Sequence, residues 1–246
     1  MIGPNRAILP LLMLSLPLLL YAAGFDAHYQ KITDIKKRKR AFIAVMLPKI
    51  HQENYHILKE RHFIQQFFKK QLFLNSSRSR RDLQKLNTLA RKYRIDDLYD
   101  EQHFLKRINQ IPVSLVLAQG ALESAWGQSR FVHKANNVFG QWTYGKEGMV
   151  PLKRAENKRH KIQKFPSIND SIAAYMLNLN RNSAYKAFRN LREQHAQEGT
   201  LFSGLEAADT MQNYSGIGRE YNEILKKVIR KNHFEQFDNK VVPREF

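Results

Sequence analysis

Cysteine is absent from the chain, and glycine and proline are few, 11 and 8 among 246 residues. The first absence excludes disulfide scaffolds, thiolate nucleophiles and cysteine-held metals. It leaves the compartment open, because a helical domain needs no covalent staples. The shortage of glycine and proline excludes a collagen-like or low-complexity chain. Acidic residues are also scarce: 22 stand against 41 lysines and arginines, for a formal net charge of +19. Such a charge attracts polyanions, whether nucleic acid, anionic lipid or an acidic wall polymer. Much of it lies in Lys31–Arg40, Arg78–Arg94 and Lys153–Lys164. Also missing are an H-E-x-x-H pair, a serine nucleophile elbow and a glycine-rich phosphate loop. The nine histidines show no ligand spacing, so neither a metal nor another cofactor is expected. Apolar residues, at 43%, suffice for a real core.

Long apolar runs are confined to the start. Arg6 precedes "AILPLLMLSLPLLLYAAG", apolar from Ala7 to Gly24 apart from Ser15. The run is slightly shorter than the ~20 residues of a usual spanning helix, and it contains Pro10 and Pro17. It reads as a secretory signal, with small residues at Ala22-Ala23-Gly24 for a cut after Gly24. An uncleaved anchor is the alternative. An exported protein is expected in the periplasm or cell envelope, where a basic surface faces wall polymer or anionic membrane and nucleic acid is not an expected partner.

Helical periodicity dominates beyond the leader. Phe42, Val45 and Met46 begin a stripe that Ile50, Tyr55 and Leu58 roughly continue, with a kink or restart expected at Pro48. "NSSRSR" (75–80) reads as a loop. Further helices are expected at Asp82–Tyr93 and Glu101–Asn109, then from Pro112 to about Ser129. Turn residues next bracket short strands near Val138–Thr143 and Lys161–Phe165. Helical pattern returns at Asn169–Asn180, Ala184–Gln194 and Glu220–Lys231. The expected class is α+β, predominantly helical, with one small β-hairpin insertion. The expected division is a leader (1–24), an N-terminal helical extension (25–108), a main domain (109–234) and a tail (235–246).

Chemistry points to one glutamate. "AQGALESAWGQSR" (118–130) sets Glu123 among apolar and small residues. Successive helical residues turn by ~100°, so Val116, Gln119, Gly120, Glu123, Trp126 and Gly127 would share a side. Glycines at 120 and 127 would leave space beside the carboxyl group. Desolvation disfavours the charged form, so such a carboxyl holds its proton above the usual range and can give it to a leaving oxygen. The competing reading is a structural glutamate paired with a base such as Arg130.

The residues Ala121-Leu122-Glu123-Ser124-Ala125-Trp126-Gly127-Gln128-Ser129 and Ala135-Asn136-Asn137-Val138-Phe139-Gly140 resemble the glucosaminidase family of cell-wall hydrolases, glycoside hydrolase family 73. "KKRKRAFIAVMLPKIHQENYHILKER" and "NYSGIGREYNEILKKVIRKN" resemble the flanking helices of Bax-type bacterial proteins. The resemblance covers nearly the whole chain after the leader. It implies a lysozyme-like fold and cleavage of the β-1,4 bond on the N-acetylglucosamine side of peptidoglycan glycan. It also puts Glu123 in the place of the general acid.

Hydrolysis usually needs a second carboxylate. The resemblance puts it in the hairpin stretch "LKRAENKRHKIQKF", where Glu156 is the single acid. The threonine that often precedes it in the family is missing. Glu147 and Asp170 are weaker substitutes. The resemblance also makes Tyr175 a cleft residue, able to bond an acetamido group or position water. Phe139, Trp142 and Tyr144 would wall the cleft against sugar faces, with Trp126 behind Glu123 and Asn137 as a sugar-amide contact or a turn residue. Two other classes stay open: a lytic transglycosylase using Glu123 alone, and a non-catalytic wall-binding protein.

Overall fold

The computed structural model describes residues 24–69, 76–145, 148–151 and 160–238. A short helix α1 (Ala27–Gln30) is capped by Asp26, whose carboxylate accepts the Tyr29 N–H. The long α2 follows (Ile35–Lys69). It buries Ala41, Phe42, Val45, Met46, Ile50, Asn54, Ile57, Ile64 and Phe67, a stripe three and four residues apart. Asn54 and Ile57 take the buried positions rather than Tyr55 and Leu58, one residue off the sequence expectation. The helix also runs unbroken through Pro48. Pro48 removes the hydrogen bond to the Ala44 carbonyl, but both residues lie on the solvent-exposed face of the helix, where a missing intrahelical donor costs least.

Helix α3 (Ser76–Tyr93), which begins inside the 75–80 stretch expected as a loop, and α4 (Glu101–Arg107) pack against the C-terminal half of α2, where Glu60 accepts from Lys92 and Tyr93 and Phe68 meets Phe104. Helix α5 (Val113–Glu123) is the central element, and every residue from Val113 to Ala121 is buried. A helix apolar all round belongs inside a domain. Gly120 marks its close approach to α2: a Cβ there would stand 3.3 Å from Met46 and Val138 and 3.4 Å from Phe42. This corrects the expectation that Gly120 leaves room beside the carboxyl of Glu123. Asn54 fixes the entry to α5, exchanging two 2.9 Å hydrogen bonds with the backbone of Ile111.

Helix α6 (Arg130–Ala135) leads to β1 (Trp142–Thr143), which pairs antiparallel with β2 (Lys161–Ile162) in the register Trp142–Ile162. Met149 bridges the other edge of Ile162. Helix α7 (Ile168–Arg181), a 3-10 turn (Ser183–Tyr185), α8 (Lys186–Glu198), α9 (Gly204–Ala208) and α10 (Arg219–Lys231) complete the helical body, followed by a 3-10 turn at Phe234–Phe237.

One hydrophobic cluster runs from Phe25 and Phe42 through Leu115 and Ile172 to Ile229 and Phe234. The helices before residue 109 therefore share their core with those after it. The chain beyond 234 takes part as well: the Asp238 carboxylate accepts from Ser114 N (2.9 Å), Ser114 Oγ (2.6 Å) and Gly204 N (2.9 Å). It thereby supplies the acceptor missing at the start of α5, which has no side-chain cap of its own. Among the described residues, no helix is long and apolar enough to cross a membrane.

Candidate active site

Glu123 is the last residue of α5. The helix does not continue to Ser129 as its periodicity suggests. Ala125, Trp126 and Gly127 instead adopt left-handed backbone, with φ of 50°, 57° and 78°. A left-handed conformation costs a residue with a Cβ about 1–2 kcal/mol, so surrounding contacts must hold it. Ser124 is buried, accepts the Gly127 N–H at 2.8 Å and donates to the Gly120 carbonyl at 2.5 Å. The Trp126 N–H returns to Ala121 O at 2.8 Å, and the Ser129 N–H to Ser124 O at 2.8 Å. Gly127 faces α1, where a Cβ would come within 2.6 Å of the Phe25 ring. It therefore makes room for Phe25, not for the carboxyl group, a second correction to the sequence reading. This tight turn ends the helix at Glu123 and carries the chain away from its carboxyl group.

The hairpin segment approaches from the other side. Asn136 takes a left-handed conformation and donates to Phe165 O and Pro166 O. Asn137 is buried and spends its amide on the backbone: Nδ2 donates to Gln141 O and Gln163 O at 2.9 Å, and Oδ1 accepts from Gln141 N at 3.0 Å. Of its two expected roles, the turn role is the one its bonds fill. Between these anchors lies Gly140, with φ of 65°, and a Cβ built there would stand 3.7 Å from Glu123 Oε2. Glycine at this place leaves that oxygen uncovered.

Behind the carboxyl group stands a set of aromatic rings. The Tyr221 hydroxyl, from α10, donates to Glu123 Oε1 at 2.7 Å. Gln119 Nε2 donates to the Tyr221 oxygen at 3.2 Å, and the Tyr175 hydroxyl donates to Gln119 Oε1. Tyr214 stacks on Tyr221, with centroids 5.5 Å apart and planes at 10°, and its hydroxyl donates to Phe139 O at 2.9 Å. Phe139 stacks on Tyr175 at 4.0 Å and 8°. Both are buried, at 2% and 1% exposure. They form the support beneath the carboxyl group rather than a wall open to a ligand, and a direct sugar contact by Tyr175 does not fit its burial. Burial pushes the hydroxyl pKa values of Tyr175 and Tyr221 upward, with nearby Glu123 adding to it. Both stay neutral donors.

Glu123 itself is half-buried. Its pKa is raised, first by desolvation, while the hydrogen bond from Tyr221 pulls the other way. No lysine or arginine among the described residues acts on it, and the Arg130 pairing is absent. A carboxyl group with raised proton affinity, one oxygen held by Tyr221 and the other without a hydrogen bond among the described residues, suits proton donation to a leaving oxygen and support of the anion afterwards.

The other expected residues divide. Trp142 is 59% exposed and stacks on His160 at 4.1 Å and 18°, and Tyr144 is 78% exposed. Both are open to a ligand. Trp126 packs away from the carboxyl group, against Phe42 and Phe234, with Lys39 Nζ 4.6 Å from its ring. Asp170 is occupied at the start of α7, accepting the Ser167 hydroxyl at 2.7 Å. Glu156 and Glu147 lie outside the described residues. Among the described residues, no group of histidine and acidic side chains could hold a metal. Sequence reasoning missed the parts played by Gln119, Tyr214 and Tyr221. A signal for Tyr221 exists: it falls in line with Leu225 and Ile229 on the buried stripe of α10, and a buried tyrosine hydroxyl needs a partner.

The sequence pattern of the glucosaminidase family, described as mannosyl-glycoprotein endo-beta-N-acetylglucosaminidase, matches residues 102–234, more than half of the chain. The chain belongs to this family, and its fold is the predominantly helical, lysozyme-like α+β domain the sequence suggested. It is similar to Protein bax of Escherichia coli strain K12, at 29% identity over 222 residues, covering 84% of this chain and 76% of that protein. No solved structure gives a match.

Proposed function

We propose that this protein is an exported endo-β-N-acetylglucosaminidase that hydrolyses the β-1,4 bond of peptidoglycan glycan, with Glu123 as the general acid. One observation carries the proposal: Glu123 presents a half-buried carboxyl group of raised proton affinity, with Oε1 held by Tyr221 and Oε2 beside Gly140. Family membership supports the reaction class. The basic leader residue and the apolar run after it support export to the periplasm or envelope, and the +19 charge suits a polymer with acidic peptides or an anionic membrane surface. Protonation of the glycosidic oxygen by Glu123 makes the sugar a leaving group, and Tyr221 steadies the carboxylate left behind. Trp142, and Tyr144 near it, offer flat apolar rings to sugar faces. The second group of the displacement is assigned to Glu156.

A second reading has one observation in its favour. Among the described residues no other carboxylate acts on Glu123, as suits a lytic transglycosylase, which needs a single acid. Digestion of purified murein separates the two. The glucosaminidase produces new reducing ends on N-acetylglucosamine, and a transglycosylase produces anhydro-sugar ends, distinguished by mass. Murein left intact under all conditions would contradict both.

A further inference from the structure

We infer that Gln119 is a positioning residue: by fixing the direction in which the Tyr221 hydroxyl donates, it assigns the exchangeable proton of Glu123 to Oε2. The inference rests on the glucosaminidase reading for its catalytic meaning, but its physical content concerns the resting protein.

The argument is a count of protons. Gln119 is fully buried on α5, one turn before Glu123. An amide oxygen can only accept and an amide nitrogen can only donate. Gln119 Oε1 takes the proton of the buried Tyr175 hydroxyl, which turns Nε2 toward Tyr221. That nitrogen stands 3.2 Å from the Tyr221 oxygen, so Tyr221 accepts there. Its one proton is then left for Glu123 Oε1, at 2.7 Å. An oxygen that already receives this proton does not donate back to the same hydroxyl. When Glu123 is protonated, its proton therefore resides on Oε2, the oxygen beside Gly140.

The reversed network is the alternative to exclude. With the Gln119 amide turned over, its oxygen would take the Tyr221 proton, and Glu123 would have to donate to Tyr221 through Oε1. The acid proton would then point into the protein. In that arrangement Gln119 would donate to Tyr175, whose own proton would be left without an acceptor in a dry interior. A buried donor with no acceptor is costly. Tyr175 thus selects the amide direction, Gln119 passes it on, and Tyr221 delivers it. All three are buried, so water does not scramble the order. The arrangement also gives Tyr175 a reason to sit beneath the site without touching a ligand.

The test uses a carboxyl titration and a double-mutant comparison. The Glu123 carboxyl carbon is followed by ¹³C NMR in the parent, Gln119→Leu, Tyr221→Phe and the double variant, with circular dichroism to confirm folding. Gln119→Leu removes the N–H that polarises the Tyr221 hydroxyl, so donation to the ionised Glu123 weakens and the midpoint moves up. Tyr221→Phe removes the donor to the ionised form and moves it up as well. The double variant titrates where Tyr221→Phe does, because Gln119 acts only through that hydroxyl. Gln119→Met keeps the length of the side chain without a donor or a charge and serves if the leucine variant unfolds; the Glu123 midpoint again rises. On murein, Gln119→Leu lowers kcat about tenfold with KM unchanged, a fraction of what a general acid contributes. Unmoved midpoints in the Gln119 variants, or shifts that add in the double variant, would overturn the assignment. A parent protein inert on murein with the titrations as expected would overturn the glucosaminidase reading and leave the proton assignment standing.

Discussion

The hydroxyl of Tyr29 donates to the carbonyl of Trp126 at 2.6 Å, across 97 residues of sequence. Trp126 is the middle of three consecutive left-handed residues, and Tyr29 is itself fully buried. Helix α1 thus holds the turn that ends α5 at Glu123. Phe25 reinforces the link, packing edge-on to Tyr29 at 4.8 Å and filling the space that Gly127 leaves.

Tyr29→Phe removes that donor and leaves the ring in place. The turn then keeps its strain with one restraint fewer. We expect a loss of about 1–2 kcal/mol, the range for a hydrogen bond whose buried acceptor is left unmet. For a chain of this size that lowers the melting temperature by roughly 2–8 °C. Thermal unfolding followed by circular dichroism measures it, and an unchanged midpoint would show that Tyr29 does not hold the turn.

Two glycine substitutions separate the site from the scaffold. Gly140→Ala strains a left-handed position and sets a methyl group against Glu123 Oε2. It should cost about 1 kcal/mol of stability and reduce kcat roughly tenfold or more by covering the oxygen that holds the proton. In Gly204→Ala the methyl group meets Ser114 Oγ at 1.9 Å and Leu115 N at 2.6 Å. Helix α9 must then lift from α5, a loss of about 3 kcal/mol or more by overpacking. Urea unfolding together with murein digestion distinguishes the two: Gly140→Ala stays folded with poor turnover, and Gly204→Ala loses stability first.

A raised glutamate pKa also has a stability signature. The pKa of Glu123 is higher in the fold than its ordinary value of 4.5. Below the unfolded value the group is protonated in both states and costs nothing. As pH rises through the folded value, ionisation inside the partly dry site destabilises the fold. Glu123→Gln, which stays neutral, should therefore melt higher than the parent at neutral pH. The gap should close as pH falls below about 4, under the unfolded value. Melting curves between pH 3 and about 8 test this; an equal gap at every pH would mean that the carboxyl group is not desolvated.

Trp142 rests on His160 with more than half of its surface open. Trp142→Ala should leave thermal stability nearly unchanged and raise KM on murein about tenfold, equivalent to about 1.4 kcal/mol of binding. Steady-state kinetics on soluble glycan fragments measures it. A fall in kcat at constant KM would place Trp142 outside substrate binding.

Much of this architecture is legible in the amino-acid pattern. Long amphipathic stripes mark α2, α7 and α10, and turn residues around short β-branched runs mark the hairpin. Three short helices, α1, α6 and α9, escape notice because four, six and five residues complete too little of a helical repeat to show a period. The end of α5 is hidden for another reason. Apolar spacing carries on through Trp126, and neither Ala125 nor Trp126 announces a left-handed backbone; only Gly127 does. The acid Glu123 stands out because a carboxylate amid apolar neighbours is rare. Its supporting shell does not, since Gln119, Tyr175, Tyr214 and Tyr221 meet only through tertiary packing across as many as 102 residues.

The central claim is that the Glu123 proton breaks the glycan. Its most direct test is release of reducing ends from purified murein by the parent and by Glu123→Gln at equal concentration, with circular dichroism to confirm that both are folded. The account predicts a fall of at least about 10²-fold, the contribution of a general acid. Turnover by the glutamine variant within a few-fold of the parent would contradict it.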